Sequence, residues 1–242
     1  NRSYYCADVY EYPAAFVTLE GKTFLIHCPS KYCRLDFENA ETGQIITDAI
    51  DRNPIDFFHS RLEVSPNGKY LISKGWFWHP FDAIRLFDIK ECFSNPHLLD
   101  QSEIYPNVGT EISTASFIDD NRVLWGSSDG EEIDDGLLEN LPQKCMAIWD
   151  ISSGRLSKPI KIDIEFGNLY AINNRFAWDI YKFPKIINLE TGQVVDQDES
   201  ISSGLQNSSI IHHLGNLPKV AFNPQTKQLA ISNGDAIEIL EP

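Results

Sequence analysis

Apolar and polar residues alternate in short stretches of this 242-residue chain, and the stretches recur at a regular distance. The stretch EVSPNGKYLISKG at 63–75 predicts a strand, a tight turn and a second strand, and close variants follow at 115–127 and 220–232. The residues that open the second strand of each such hairpin are Phe24, Leu71, Leu124, Phe176 and Leu229. Their spacings of 47, 53, 52 and 53 residues predict a repeat architecture with a period near 50.

Each period contains more than the hairpin. Apolar stretches predict a third strand at 32–38, 83–89, 145–151, 183–190 and 236–242. Turn residues then lead into a predicted fourth strand at 41–48, 95–104, 153–162 and 191–198. The stretches are rich in β-branched and aromatic residues and no long helical period accompanies them. Four antiparallel strands per period of 40 to 50 residues are typical of a β-propeller blade.

Several short motifs carry a resemblance to a known family. SPNGKYL at 65–71, followed by RLFDI at 85–89 and AIWDI at 147–151, resembles blades of WD-repeat and YVTN-type propellers, and ETGQ at 41–44 and 190–193 resembles their third-to-fourth-strand turn. The resemblance covers nearly the whole chain. It implies the fold and leaves the function open, because the Gly-His pair of regular WD repeats is absent and a fold does not fix a function.

We therefore expect an all-β protein, a β-propeller of five four-stranded antiparallel blades in one domain. The blades are predicted at about 13–50, 57–105, 111–164, 167–200 and 208–242. The Tyr- and Val-rich segment 3–12 is expected to be the missing strand of the last blade. It would close the ring and remove an exposed strand edge.

The formal charge of −15 and the pI near 4.7 restrict the partners. So acidic a surface repels phosphate backbones, which disfavours nucleic acid, and it attracts a basic protein. Solubility alone is an alternative reason for the charge. No stretch has the roughly 18 apolar residues of a membrane span.

Five cysteines, an odd and scattered set, predict free thiols and a reducing compartment, so we expect a cytoplasmic protein. The first residues also lack the cationic and apolar regions of a signal peptide. A pair between Cys28 and Cys33 is a less favoured alternative. A zinc site is disfavoured because no second close pair completes four ligands, and no cofactor is expected.

Two stretches after second strands look too long or too rich for turns, and they belong to adjacent blades. The first, GWFWHPFD at 75–82, is aromatic, and alternation predicts that about half of its rings face the core. The second, at 127–144, is acidic; a solvated loop is its plain interpretation, and it lacks the ligand pattern of a calcium loop. The predicted contacts with a partner are Trp76, Trp78, His79, Phe81, Asp129, Glu131, Glu132, Asp134 and Asp135.

The aromatic side chains are expected to anchor the partner, and the carboxylates to steer and pair with it. Cation–π contact with an arginine suits the same pair of loops. A further candidate is the connection 198–216, with His212 and His213. Adjacent residues of a strand point to opposite sides, so a two-histidine metal site is disfavoured there.

The chain has no nucleophile elbow, P-loop, dinucleotide fingerprint or HExxH motif. His27 and Cys28 are interpreted as structural, because neighbours in a strand face opposite sides. The sequence favours a non-enzymatic protein-binding module for a basic partner, in an inhibitor, immunity-type or scaffold role.

The alternative is a channel-based glycoside hydrolase, or a related hydrolase, that uses two carboxylates. Within the predicted first strands only Glu63 is acidic. Asp51, Asp56 and Glu111 could enter the channel from loops.

Overall fold

The computed structural model describes residues 8–78, 80–101, 108–132, 141–212 and 219–242, and of residues 130–132 the backbone alone. The chain is an all-β protein, and its described strands form five antiparallel sheets, one for each predicted period. The five residues predicted to open second strands all lie within β-strands of the structure.

Blade one contains β1 (Ala14–Leu19), β2 (Lys22–His27) and β3 (Asp36–Asn39), in that order. Glu20 and Gly21 join β1 to β2, and both have positive φ, as a two-residue hairpin turn requires. The fourth strand predicted at 41–48 is reduced to a single bridge between Ile45 and β3. The chain then forms a 3₁₀ helix at Thr47–Ala49, where the Thr47 hydroxyl accepts a hydrogen bond from the backbone N–H of Phe37.

Blade two contains β4 (Phe57–Phe58), β5 (Leu62–Val64), β6 (Tyr70–Phe77) and β7 (Phe81–Asp88). β4 and β5 are two pieces of one interrupted first strand, because both pair with β6, which pairs with β7 as well. The interruption includes Arg61, whose φ is +30°.

Helices α1 (Ile89–Ser94) and α2 (His97–Asp100) follow β7, so the strand predicted at 95–104 is wrong over 97–100. The Asp88 side chain accepts a hydrogen bond from Glu91 N, which favours a helix start at the end of β7. The rest of that predicted strand, from 102 on, lies outside the described residues.

Blades three and four each have a fourth strand, as predicted. In blade three it consists of two short pieces that both pair with the third strand. Blade three contains β8 (Thr110–Phe117), β9 (Arg122–Glu132), β10 (Cys145–Asp150), β11 (Arg155–Leu156) and β12 (Ile160–Lys161). Blade four contains β13 (Leu169–Ala171), β14 (Phe176–Asp179), β15 (Lys185–Asn188) and β16 (Val194–Gln197).

Blade five contains β17 (Lys219–Phe222), β18 (Leu229–Asn233) and β19 (Ala236–Leu240), and within the described residues β19 pairs with β18 alone. Residues 8–12, part of the predicted closing strand, form no strand. The Val9 carbonyl accepts a hydrogen bond of 2.7 Å from Ile211 N, and Tyr10 is buried against Phe58 of blade two. Residues 3–7 lie outside the described part of the chain.

Buried apolar clusters join consecutive blades. One cluster lies between blades one and two, and further clusters join two to three, three to four and four to five. The largest side chains of the second interface are Trp125 and Trp149, at most 2% exposed, with ring centroids 5.3 Å apart. Burying such a side chain stabilises the fold by about 1.5–3 kcal/mol. The sheets thus stack in chain order.

Hydrogen bonds between neighbouring hairpins reinforce the stacking from blade two to blade five. Each joins residues about one repeat period apart. They are Asn67 N to Asp120 Oδ1 at 2.8 Å, Arg122 Nη2 to Asn174 Oδ1 at 2.7 Å, and Trp178 Nε1 to Lys227 O at 2.9 Å. The repeat visible in the sequence is therefore also a repeat of contacts.

Candidate functional site

The aromatic stretch of blade two is a hairpin and not the loop predicted at 75–82. β6 continues through Phe77 and β7 begins at Phe81, so only 78–80 lie between the strands. Gly75 permits this arrangement, because a Cβ at that position would lie 2.1 Å from the Phe58 carbonyl oxygen. β4 can therefore pair closely with this end of β6.

Four aromatic rings pack side by side, with the buried rings of Phe58 and Trp76 at the centre of the group. The ring centroids are 4.1 Å apart for Tyr32 and Phe58, 3.7 Å for Phe58 and Trp76, and 6.1 Å for Trp76 and Trp78. Trp76 is 3% exposed, whereas Trp78 is 48% exposed. Trp76 is thus buried and packs against Trp78, and its contact with a partner stays a prediction.

The remaining candidates of this stretch are Phe81 and His79. Phe81 is half-buried and lies directly opposite Phe77 across the hairpin. Phe77 also makes an edge contact with Phe57, at 5.0 Å between centroids. His79 lies outside the described residues.

Polar contacts attach the acidic stretch of blade three to this hairpin. The Asp82 backbone N–H donates to Glu111 Oε1 at 3.0 Å, and Glu111 Oε2 accepts from the Ser128 hydroxyl at 3.4 Å. Asp129 follows Ser128 in β9; it is exposed and forms an ion pair of 3.1 Å with Lys144. We call Trp78, Phe81, Glu111 and Asp129 the aromatic–acidic rim.

The acidic stretch is also less of a loop than predicted, because β9 extends to Glu132. Of Glu131 and Glu132 the structure gives the backbone, which lies in β9, and Asp134 and Asp135 lie outside the described residues. The end of β9 is a strand because it pairs with β8, where Thr110 lies opposite Glu132.

A buried carboxylate lies behind the rim. Asp82 is 4% exposed and accepts hydrogen bonds of 3.0 and 3.2 Å from Ser209 N. Burial raises the pKa of Asp82 to about 6 and the Glu111 charge adds to this, against the opposing effect of Arg61 and the serine donors. Arg61 Nη2 in turn donates to the Ser209 hydroxyl at 2.8 Å.

These contacts hold the connection between blades four and five against the hairpin of blade two. Sequence reasoning missed the role of Asp82, although the residue ends the stretch 75–82, because its partner Ser209 lies 127 residues away.

Glu63 is the acidic residue of the predicted first strands, and its carboxylate contacts other side chains and the backbone of this protein. Its Oε1 accepts from the Phe117 backbone N–H at 2.8 Å and from the Ser116 hydroxyl at 3.0 Å, and its Oε2 pairs with Lys74 Nζ at 2.9 Å. Glu63 lines a cavity of about 360 Å³ together with first-strand residues of blades one, four and five. Oε1 thus joins blade two to blade three and Oε2 is paired with Lys74 within blade two, which disfavours Glu63 as a hydrolytic group.

The remaining candidates have structural contacts. His27 is 8% exposed and lies between the Tyr12 hydroxyl, 2.8 Å away, and the Glu38 carboxylate, 2.9 Å away. Cys28 is buried and its thiol donates to the Tyr32 carbonyl at 3.4 Å. His212 is exposed, while His213 lies outside the described part of the chain. The described residues contain no group of three metal ligands.

Comparison with known proteins shows the fold. No family model and no curated protein matches the chain. Among solved structures, a chain of the mitotic checkpoint complex is 10% identical with a TM-score of 0.53, covering 94% of this chain and 57% of its own. The β-propeller domain of Cps50 (Swd1) from Myceliophteria thermophila is 14% identical with a TM-score of 0.43, covering 78% and 54%.

This chain thus spans between half and three fifths of the length of those two. None of the helices in the described residues is long and apolar enough to cross a membrane. The predicted resemblance to WD-repeat propellers is confirmed at the level of the fold.

Proposed function

We propose that this protein is a non-enzymatic binding module that takes a basic protein partner on its aromatic–acidic rim. The observation that carries the proposal is the half-exposed indole of Trp78, stacked on buried rings and carried by a hairpin that is hydrogen-bonded to blade three.

Trp78 suits the role of an anchor. Its ring rests on Trp76, which in turn lies flat on Phe58 with an angle of 6° between the planes. A ring held in this way loses little conformational freedom on binding, and tryptophans of this kind contribute strongly at interfaces. An arginine of the partner would gain cation–π attraction over the same ring.

The carboxylates suit the role of steering groups. Asp129 is exposed at the end of the rim, and the acidic residues that follow it in sequence, Glu131, Glu132, Asp134 and Asp135, belong to the proposed contact set. With a net charge of −15 behind them, they would speed the encounter with a cationic surface.

Two versions of the role differ in what is bound. An inhibitor or immunity-type protein would cover the cationic active site of a single enzyme. A scaffold would hold several subunits together. A chain of the mitotic checkpoint complex shares the fold of this protein, and the likeness extends to the fold alone. Recovery of one basic protein supports the first version, and recovery of a multi-subunit assembly supports the second.

The test is a pull-down from native extract at low salt, with peptide identification, using the parent and three variants. Trp78→Ala and Asp129→Lys should each recover less of the same basic protein. The matched control is Glu190→Lys, the same reversal of charge at an exposed turn of blade four, which should recover the parental amount. Equal recovery by all four proteins would place the contact elsewhere.

The proposal includes a reducing, cytoplasmic location. Cys28, Cys92 and Cys145 are buried and Cys33 is half-buried, and all four are free. Alkylation of the denatured protein without reductant should modify these four cysteines, whereas their protection from the reagent would argue for an oxidising compartment.

A further inference from the structure

The outer strand of blade five has an apolar, exposed face at a sheet edge. Within the described residues β19 pairs with β18 alone. Ile237 is 68% and Ile239 is 57% exposed, and the two lie two residues apart on the same face of the strand. Exposed apolar residues on a free strand edge are usually avoided, because the edge can pair with another chain.

The register shows which backbone groups of β19 point outward. Asn233 pairs with Ala236 across a two-residue turn, in which Gly234 has a φ of +63°. The pair that flanks such a turn is hydrogen-bonded, and the pairs then alternate along an antiparallel ladder. Ile237 and Ile239 therefore belong to pairs without mutual hydrogen bonds, and their N–H and C=O groups face the open edge.

We propose that this edge binds an extended segment of a partner protein as the fourth strand of blade five. In blade four, β16 occupies the corresponding place beside β15. The segment would carry apolar side chains on the face of Ile237 and Ile239. It would carry lysine or arginine opposite Glu238, which points to the other face. This surface differs from the aromatic–acidic rim and does not depend on it.

Charge and register favour such a partner over a second copy of this chain. An antiparallel pair of two β19 strands centred on Glu238 would set two glutamates opposite each other, which is destabilising. Each copy also carries a net charge of −15. In the segment predicted to occupy this edge, Tyr10 packs instead against Phe58 of blade two and Tyr12 contacts His27 of blade one.

The test measures fluorescence anisotropy of labelled seven-residue peptides with the full chain. The probe alternates valine and lysine, and its control has the same composition with the lysines grouped at one end. The alternating peptide should bind, and Ile239→Pro should weaken it at least about tenfold, because proline removes an outward N–H but leaves the ladder to β18. Val195→Pro, at an exposed position in the outer strand of blade four, is the matched control and should have no effect.

Charge reversal gives a readout that does not depend on the proline variant. The variant Glu238→Lys should lose binding to the valine–lysine peptide, because like charges then lie opposite each other. It should instead bind a peptide that alternates valine and glutamate. The proposal is overturned if neither peptide binds the parent, or if Ile239→Pro binds as the parent does. It is also overturned if sedimentation shows a dimer that Ile239→Pro abolishes, or if slow amide exchange of Ile237 and Ile239 in the free monomer shows the edge already paired.

Discussion

Asp82 gives the sharpest quantitative prediction, because its carboxylate is buried and its pKa is raised from 3.8 to about 6. The folded state then binds a proton more tightly than the unfolded state. The contribution of Asp82 to the free energy of unfolding is therefore largest at acidic pH and falls as the pH rises through this window. At 1.36 kcal/mol per pH unit, the gap between 3.8 and about 6 corresponds to about 3 kcal/mol.

The variant Asp82→Asn removes the titration and keeps a carbonyl oxygen that can accept from Ser209 N. Urea unfolding, followed by tryptophan fluorescence, gives the free energy of unfolding of both proteins at several pH values. The parental value minus the variant value should fall by about 2–3 kcal/mol between about pH 4 and pH 7.

Asp198→Asn is the control with the opposite sign. Hydrogen bonds from Ser200 lower the pKa of Asp198, so the same difference should rise with pH. If the parental free energy of unfolding minus that of Asp82→Asn stays flat or rises with pH, the inference that burial raises the pKa of Asp82 is refuted.

Three further predictions concern contacts within and between blades, each measured as the free energy of unfolding in urea. Gly75→Ala should destabilise the fold by about 1–3 kcal/mol, since its Cβ would meet the Phe58 carbonyl; an unchanged midpoint would contradict the close pairing of β4 with β6. Glu63→Gln should cost about 3 kcal/mol because it leaves the Lys74 ammonium, buried between blades two and three, without its counter-charge, and Glu165→Gln, at an exposed pair with Lys182, should cost far less. Trp178→Phe removes the hydrogen bond to the Lys227 carbonyl and should cost about 1 kcal/mol; no loss would mean that this contact between blades four and five contributes nothing.

The hairpins were predictable because alternation and turn residues are local signals. Leu71, Phe176 and Leu229 are the first or second residues of second strands, as their spacing indicates. The helices after β7 were not predictable from the repeat. Their first turn depends on the side chain of Asp88, which the repeat pattern assigned to a strand.

The site was predictable only in outline. Alternation predicted that some rings of 75–82 would be buried, but which of Trp76 and Trp78 faces outward depends on where the hairpin turns. The connection of Glu111 to both Asp82 and Ser128 requires blades two and three to stand side by side, which only the folded chain shows.

Zero-length cross-linking of carboxylates to the amines of the captured partner tests the central claim most directly, because it reports which acidic residues touch partner lysines. The account predicts cross-links at Asp129 and at the acidic residues after it in sequence, and their loss in Trp78→Ala. Cross-links confined to acidic positions away from the rim, such as Glu190 and Asp235, would contradict it.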